Sequence, residues 1–101
     1  MACEIIFEFG QIDPENTVLI ANSVTTEEEN PAGSSAATAF AAVVHANNRG
    51  VCEVTNNGPD DAWITFGASP TAAAGTTHFL PADRARSFVI QKGDKGAALN
   101  V

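Results

Sequence analysis

The 101 residues contain no tyrosine, one tryptophan, one methionine, two cysteines and two histidines. Each shortage excludes something. Cys3 and Cys52 fall into no ligand spacing, which argues against a metal site built on thiolates. His45 and His78 stand apart from each other and from any nucleophile, so both are expected at surface or strand-edge positions. Without tyrosine and with a single Trp63, the chain lacks the clustered aromatics of a glycan-binding surface. Lys and Arg number five and none precedes Arg49. Phosphate backbones call for clusters of them, which argues against nucleic-acid binding. No run approaches the roughly 18 apolar residues of a membrane helix. The early apolar run Ile5-Ile6-Phe7 is too short for a secretory h-region and has no basic residue before it. The expectation is a protein made in a reducing cytoplasm, with no membrane partner and with both thiols free.

The length suits one domain with one core over residues 1–101. Much of the 45% apolar content is alanine, so the core should be thin. The charge is lopsided. Glu4, Glu8, Asp13, Glu15, Glu27, Glu28 and Glu29 all precede Arg49, and beyond it acids and bases balance, so the formal charge of −7 sits in the first half. Such a half is suited to docking on a basic protein surface, or simply to solubility.

Alternation marks the first strand: Cys3, Ile5, Phe7 and Phe9 against Glu4, Ile6 and Glu8, ended by Gly10. A turn at Asp13-Pro14-Glu15-Asn16 leads to a short strand over Thr17 to Ala21, and Ser23 to Glu28 continues it or pairs beside it. Glu27-Glu28-Glu29-Asn30-Pro31-Ala32-Gly33 reads as an exposed loop. Ser34 to Ala46 suits a helix by its alanines and a strand by Thr38, Phe40, Val43 and Val44; its surroundings favour extended structure. After a turn at Asn47-Asn48-Arg49-Gly50, strands are expected over Val51–Thr55, Ala62–Phe66, Thr77–Leu80, Arg86–Gln91 and Ala97–Val101. The loops between them include Asn56-Asn57-Gly58-Pro59-Asp60-Asp61 and the tight turn Lys92-Gly93-Asp94-Lys95-Gly96. Short strands with Gly/Pro-rich turns predict an all-β sandwich or barrel. Residues 1–33 form its acidic N-terminal strands and loop, and 34–101 its main core, with Ile64, Phe66, Phe88 and Ile90 inside.

No residue set reads as catalytic, cofactor-binding or metal-binding. Cys52 has Glu53 beside it, whereas a reactive thiol needs positive neighbours. Asp60-Asp61 offers too few oxygens for calcium. Trp63 alternates with Ile64, so if Ile64 faces the core, Trp63 is partly exposed and available to a partner; the alternative is that both faces are buried, by the sandwich or by a loop. Trp63, Glu27, Glu28 and Glu29 are therefore the candidate partner-binding residues.

The second half carries a pattern. Val51-Cys52-Glu53-Val54 is followed by Ala62-Trp63-Ile64-Thr65-Phe66-Gly67-Ala68-Ser69-Pro70-Thr71-Ala72. Then come Leu80-Pro81-Ala82, Ser87-Phe88-Val89-Ile90, the turn Lys92-Gly93-Asp94-Lys95, and Leu99-Asn100-Val101 at the close. Over residues 51–101 this resembles small virion proteins of tailed bacteriophages, of the capsid decoration (cement) type. The resemblance implies a non-enzymatic structural role on the capsid surface, with the major capsid protein as partner and self-association, for example as a trimer, beside it. A head–tail connector or tail component is the alternative within virion proteins. A glycan-binding module and a small enzyme are the more distant ones.

Overall fold

A computed structural model of the chain describes residues 3–13, 18–19, 24–45 and 48–101. Within them lie nine strands and no helix: β1 (Cys3–Asp13), β2 (Val18–Leu19), β3 (Thr25–Glu29), β4 (Ala36–Ala37), β5 (Arg49–Pro59), β6 (Ala62–Gly67), β7 (His78–Leu80), β8 (Arg84–Ile90) and β9 (Lys95–Asn100). They form two antiparallel sheets. In sheet one, β1 lies between β5 and the short strands β2 and β3, and β8 flanks β5; sheet two has the order β4-β9-β6-β7. The fold is a small β-sandwich, as the spacing of strands and turns predicts.

The core follows from period-two alternation on both sheets. Cys3, Ile5, Phe7 and Phe9 of β1 face inward with Cys52 and Val54 of β5, against Ala62 and Ile64 of β6, Leu80 of β7 and Ala98 of β9. Five of the six phenylalanines make a continuous chain through it. Phe40 packs on Phe9 at 5.2 Å, Phe9 on Phe7 at 6.2 Å, Phe7 on Phe66 at 6.1 Å and Phe66 on Phe88 at 5.1 Å between ring centroids. Phe7 reaches sheet two because residue 96 is glycine. A Cβ there would fall within contact of the Phe7 ring and 3.2 Å from Phe66. Ile64 and Ile90 are buried as expected, while Phe66 and Phe88 are only partly so. The largest fully buried side chains, Phe7 and Phe9, come from β1, which the sequence pattern had assigned outside the main core.

Several expected boundaries differ from the structure; β8 runs from Arg84 to Ile90 rather than from Arg86 to Gln91, and Lys95 and Gly96 belong to β9 rather than to the turn before it. Gly10 does not end β1; it sits within the strand opposite Val51, and the strand continues to Asp13. Arg49 and Gly50 belong to β5 rather than to a turn, and so do Asn56 to Pro59. Asn56 explains the latter. Its buried amide donates to the carbonyls of Asp60 (3.0 Å) and Leu80 (3.1 Å) and accepts from the Gly58 N–H (2.8 Å), so an Asx turn forms inside a strand end. Gly58 supplies the positive φ of 75° that this needs. Finally, Glu27 to Glu29 are strand, not loop; the strand expected over Ser23 to Glu28 is present as β3, but it pairs with β1 and runs on to Glu29. The turn expected at 13–16 falls largely outside the described residues, as do Thr17, Ile20, Ala21, Ser23, Ala46 and Asn47.

Residues 34–45 contain no helix. They form β4 and then an extended strap between the sheets. Thr38 bonds β9 twice, N–H to the Gly96 carbonyl (2.8 Å) and Oγ1 from the Gly96 N–H (3.1 Å). Farther on, the His45 N–H donates to the buried Gln11 Oε1 of β1 at 2.7 Å.

Candidate functional site

The four candidate partner-binding residues divide by the way their strands face. On β6, Ile64 is fully buried, and Trp63 turns outward and is half-buried. Register then supplies its neighbours. Trp63 lies opposite Phe79 of β7 on one side and opposite Leu99 of β9 on the other. Directly paired residues share a sheet face, so Phe79, Trp63 and Leu99 form one outward row across three strands. The rings of Trp63 and Phe79 meet edge-on at 5.1 Å, and Phe79 remains 41% exposed. This is an apolar row on the outside of sheet two, and the sequence pattern pointed only to its middle member. Phe79 and Leu99 lie 16 and 36 residues beyond Trp63, and register alone joins them.

The three glutamates are not equivalent. Glu28 alone is exposed. Glu27 turns inward at the sheet margin, and its carboxylate accepts the N–H groups of Ala39 (2.8 Å) and Phe40 (3.1 Å), tying β3 to the strap. It also accepts a hydrogen bond from the Glu29 carboxyl. Partial burial alone would raise the Glu27 carboxyl; these hydrogen bonds outweigh it and hold the group below the ordinary range. Burial first, and then the Glu27 carboxylate, push Glu29 up to about 7. Glu27 therefore works within the fold.

The accessible acids lie elsewhere. Outward positions of sheet one include Glu4 and Glu8 of β1, Glu53 of β5 and Glu28 of β3. Glu8 and Glu53 stand directly opposite each other, a like-charge pair that costs stability. Ile6, Val51 and the 71% exposed Val89 lie among them.

Comparison with protein-family models, with curated proteins and with solved structures finds no match. The chain's chemistry has to be read from its own residues.

Cys3 and Cys52 are buried free thiols. Cys52 is level with Phe9, so Cys3 lies six residues away along the sheet, roughly 20 Å at about 3.4 Å per residue. Burial first, and then Glu8 and Glu53, push the Cys52 thiol up to about 12; a thiol so held is protonated and inert. Asp61 Oδ1 accepts the Ala82 N–H at 2.9 Å, and Asp60 Oδ2 accepts from Asn100 Nδ2 at 3.1 Å, so both aspartates pin chain segments together. Both histidines are exposed, with the His78 ring 5.0 Å from that of Phe88. Among the described residues no group of three or more His, Cys, Asp or Glu gathers around a metal-sized point.

Proposed function

We propose that the chain is a non-catalytic structural subunit that docks on an assembled protein shell, as a capsid decoration protein docks on major capsid subunits. The observation that carries this reading is the outward row Phe79–Trp63–Leu99. Trp is among the residues most enriched at the hot spots of protein interfaces, and it acts there when the partner desolvates it. The resemblance of residues 51–101 to phage virion proteins supports the reading, because β6, β7 and β9 lie in that stretch. The acids on the outside of sheet one give the approaching subunit a negative side, which steers it onto a basic surface without adding much affinity. A modest interface repeated across a lattice then reinforces the whole shell.

The test uses particles that contain the chain. Shells stripped of it should rupture at lower temperature than decorated ones. Adding back the wild-type chain should restore them in proportion to occupancy, and Trp63→Ala should fail to. Bare and decorated shells that fail together would sink the proposal. A copy number of about a dozen at one vertex would replace decoration with a connector or tail role.

A further inference from the structure

Sheet one has two margins, one formed by β3 and, farther along β1 at Ile12 and Asp13, by the two-residue β2, the other by β8. β3 lies beside β1, β8 lies beside β5, and among the described residues no strand pairs with the far edge of either. An open edge is a row of free N–H and C=O groups able to receive another strand. The two edges carry opposite charge. β3 is Thr25-Thr26-Glu27-Glu28-Glu29, and β8 opens Arg84-Ala85-Arg86 and holds no acid.

The registers set these charges in common rows. Glu29 pairs with Ile5, Ile5 with Asn56 and Asn56 with Arg84; Glu27 pairs with Phe7, Phe7 with Val54 and Val54 with Arg86. All four charged residues therefore share the inward-pointing side of sheet one, the glutamates at one margin and the arginines at the other. Every pairing in the sheet is antiparallel, so β3 runs opposite to β1 and to β8. A second copy set beside the first, in the same orientation apart from sheet twist, presents its β8 antiparallel to β3.

We infer that copies of this chain associate head to tail, β8 of one adding to β3 of the next, with Arg84 against Glu29 and Arg86 against Glu27. The rows are already level, so the sheet continues without a shift of register. On the outer side Ala85 then meets Glu28 and Ser87 meets Thr26, and no like charges are opposed. Both arginines and Glu29 are available for this, and Glu27, which already accepts the Ala39 and Phe40 N–H groups, meets Arg86 with its remaining lone pairs. Arg84 and Arg86 are exposed, Arg86 lies over its own Phe88 ring at 5.2 Å, and among the described residues neither arginine is in ion-pair contact with an acid. Glu27 and Glu29 face each other, and among the described residues no cation shifts either carboxyl. Such an interface is heterologous, and it builds a ring or a filament rather than a two-fold dimer. It uses edges of sheet one, so it stands independently of docking through the outer face of sheet two.

Sedimentation of the full chain over a range of concentrations tests it. Association should rise with concentration and weaken as salt screens the edges. Glu29→Arg or Arg84→Glu should each raise the dissociation constant about tenfold, because each sets like charges opposite. An equimolar mixture of these two variants should associate again. The new arginine on β3 of one variant then meets the new glutamate on β8 of the other, or else the native Glu29 meets the native Arg84. That recovery also shows that both variants fold. A monomer at every concentration overturns the inference. So does association that Glu29→Arg leaves unchanged, which is the outcome if β8 pairs two-fold with another β8. A mixture that fails to recover while both variants keep the native circular dichroism overturns it too.

Discussion

The two outward faces of the sandwich obey the same alternation and carry different chemistry. Sheet one presents Glu4, Glu8, Glu28 and Glu53 among a few aliphatics, with Glu8 and Glu53 directly opposed. Sheet two presents Phe79, Trp63 and Leu99 in one row. A surface that opposes like charges gives up some stability to stay hydrated and strongly negative. A surface that lines up an indole, a phenyl ring and an isobutyl group gives up solubility unless something covers it. The first is suited to long-range attraction, the second to contact. Folding stability rests mainly on neither, because the strong packing lies between the sheets.

Cutting that interior should therefore produce the largest effect and should not distinguish the faces. Phe7→Ala removes a ring that stacks on Phe9 and meets Phe66 edge-on, and it should cost about 3–5 kcal/mol in urea unfolding. Phe88→Ala should cost less, since Phe88 is only partly buried. A loss below about 1 kcal/mol for Phe7→Ala would mean that β1 does not sit at the centre of the core.

Trp63→Ala separates the faces most sharply. It should weaken shell binding by about 2–4 kcal/mol, as truncation of a buried interface anchor does. Its effect on unfolding should stay well under that, because Trp63 faces outward and is only half-buried. Equal losses in binding and stability would make the row a patch of ordinary packing. Gly96→Ala makes the complementary change from inside sheet two. The new methyl meets the Phe7 ring, and overpacking of this kind costs about 1–3 kcal/mol. Binding per folded molecule should be unaffected.

The features legible in the sequence and those hidden from it divide by range. Alternation over Cys3 to Phe9 predicts β1 and its inward face, because period two is a local property. The same logic puts Ile64 inside and leaves Trp63 for the outside. Gly10 misleads because glycine more often punctuates a strand than continues one. Asn56 to Pro59 mislead because turn formers describe local preference, whereas the Asn56 amide reaches Leu80, 24 residues away. Glu27 resembles one of three repelling surface charges; its role depends on Ala39 and Phe40, 12 and 13 residues on. Phe79 and Leu99 escape notice for the same reason, being joined to Trp63 only by register. A strand is expected over Ser23 to Glu28, and the alternation Thr25-x-Glu27-x-Glu29 is the signal that it turns two acids inward.

The acidic face can be sharpened by relieving its opposed pair. Glu53→Lys replaces repulsion from Glu8 with attraction, so the chain should gain about 0.2–1 kcal/mol in stability. It should also approach a basic surface more slowly, with a shallower salt dependence of the association rate. A gain in stability with an unchanged rate would show that this face plays no part in steering.

The smallest effect belongs to the boundary between the faces, where Glu27 and Glu29 turn inward at the sheet margin. Burial and Glu27 raise the Glu29 carboxyl to about 7, from an ordinary value of 4.5. The folded chain thus holds a proton that the unfolded chain has released between these values. Stability from Glu29 is full below about pH 4.5 and falls as pH rises to about 7, because deprotonation sets two carboxylates against each other. Glu27, held below its ordinary range, contributes in the opposite sense: its share is present above that value and is lost as pH falls. Glu29→Gln keeps a donor for Glu27 and removes the second charge. It should therefore match the wild type near pH 4 and exceed it at pH 8. The gain should stay below about 1 kcal/mol, since both carboxylates are largely screened by solvent. Urea midpoints measured from pH 4 to pH 8, at concentrations low enough to keep single copies, decide it. Parallel curves for the two proteins would mean that Glu29 releases its proton as an ordinary surface acid does, and that β3 meets water at Glu29 as freely as at Glu28.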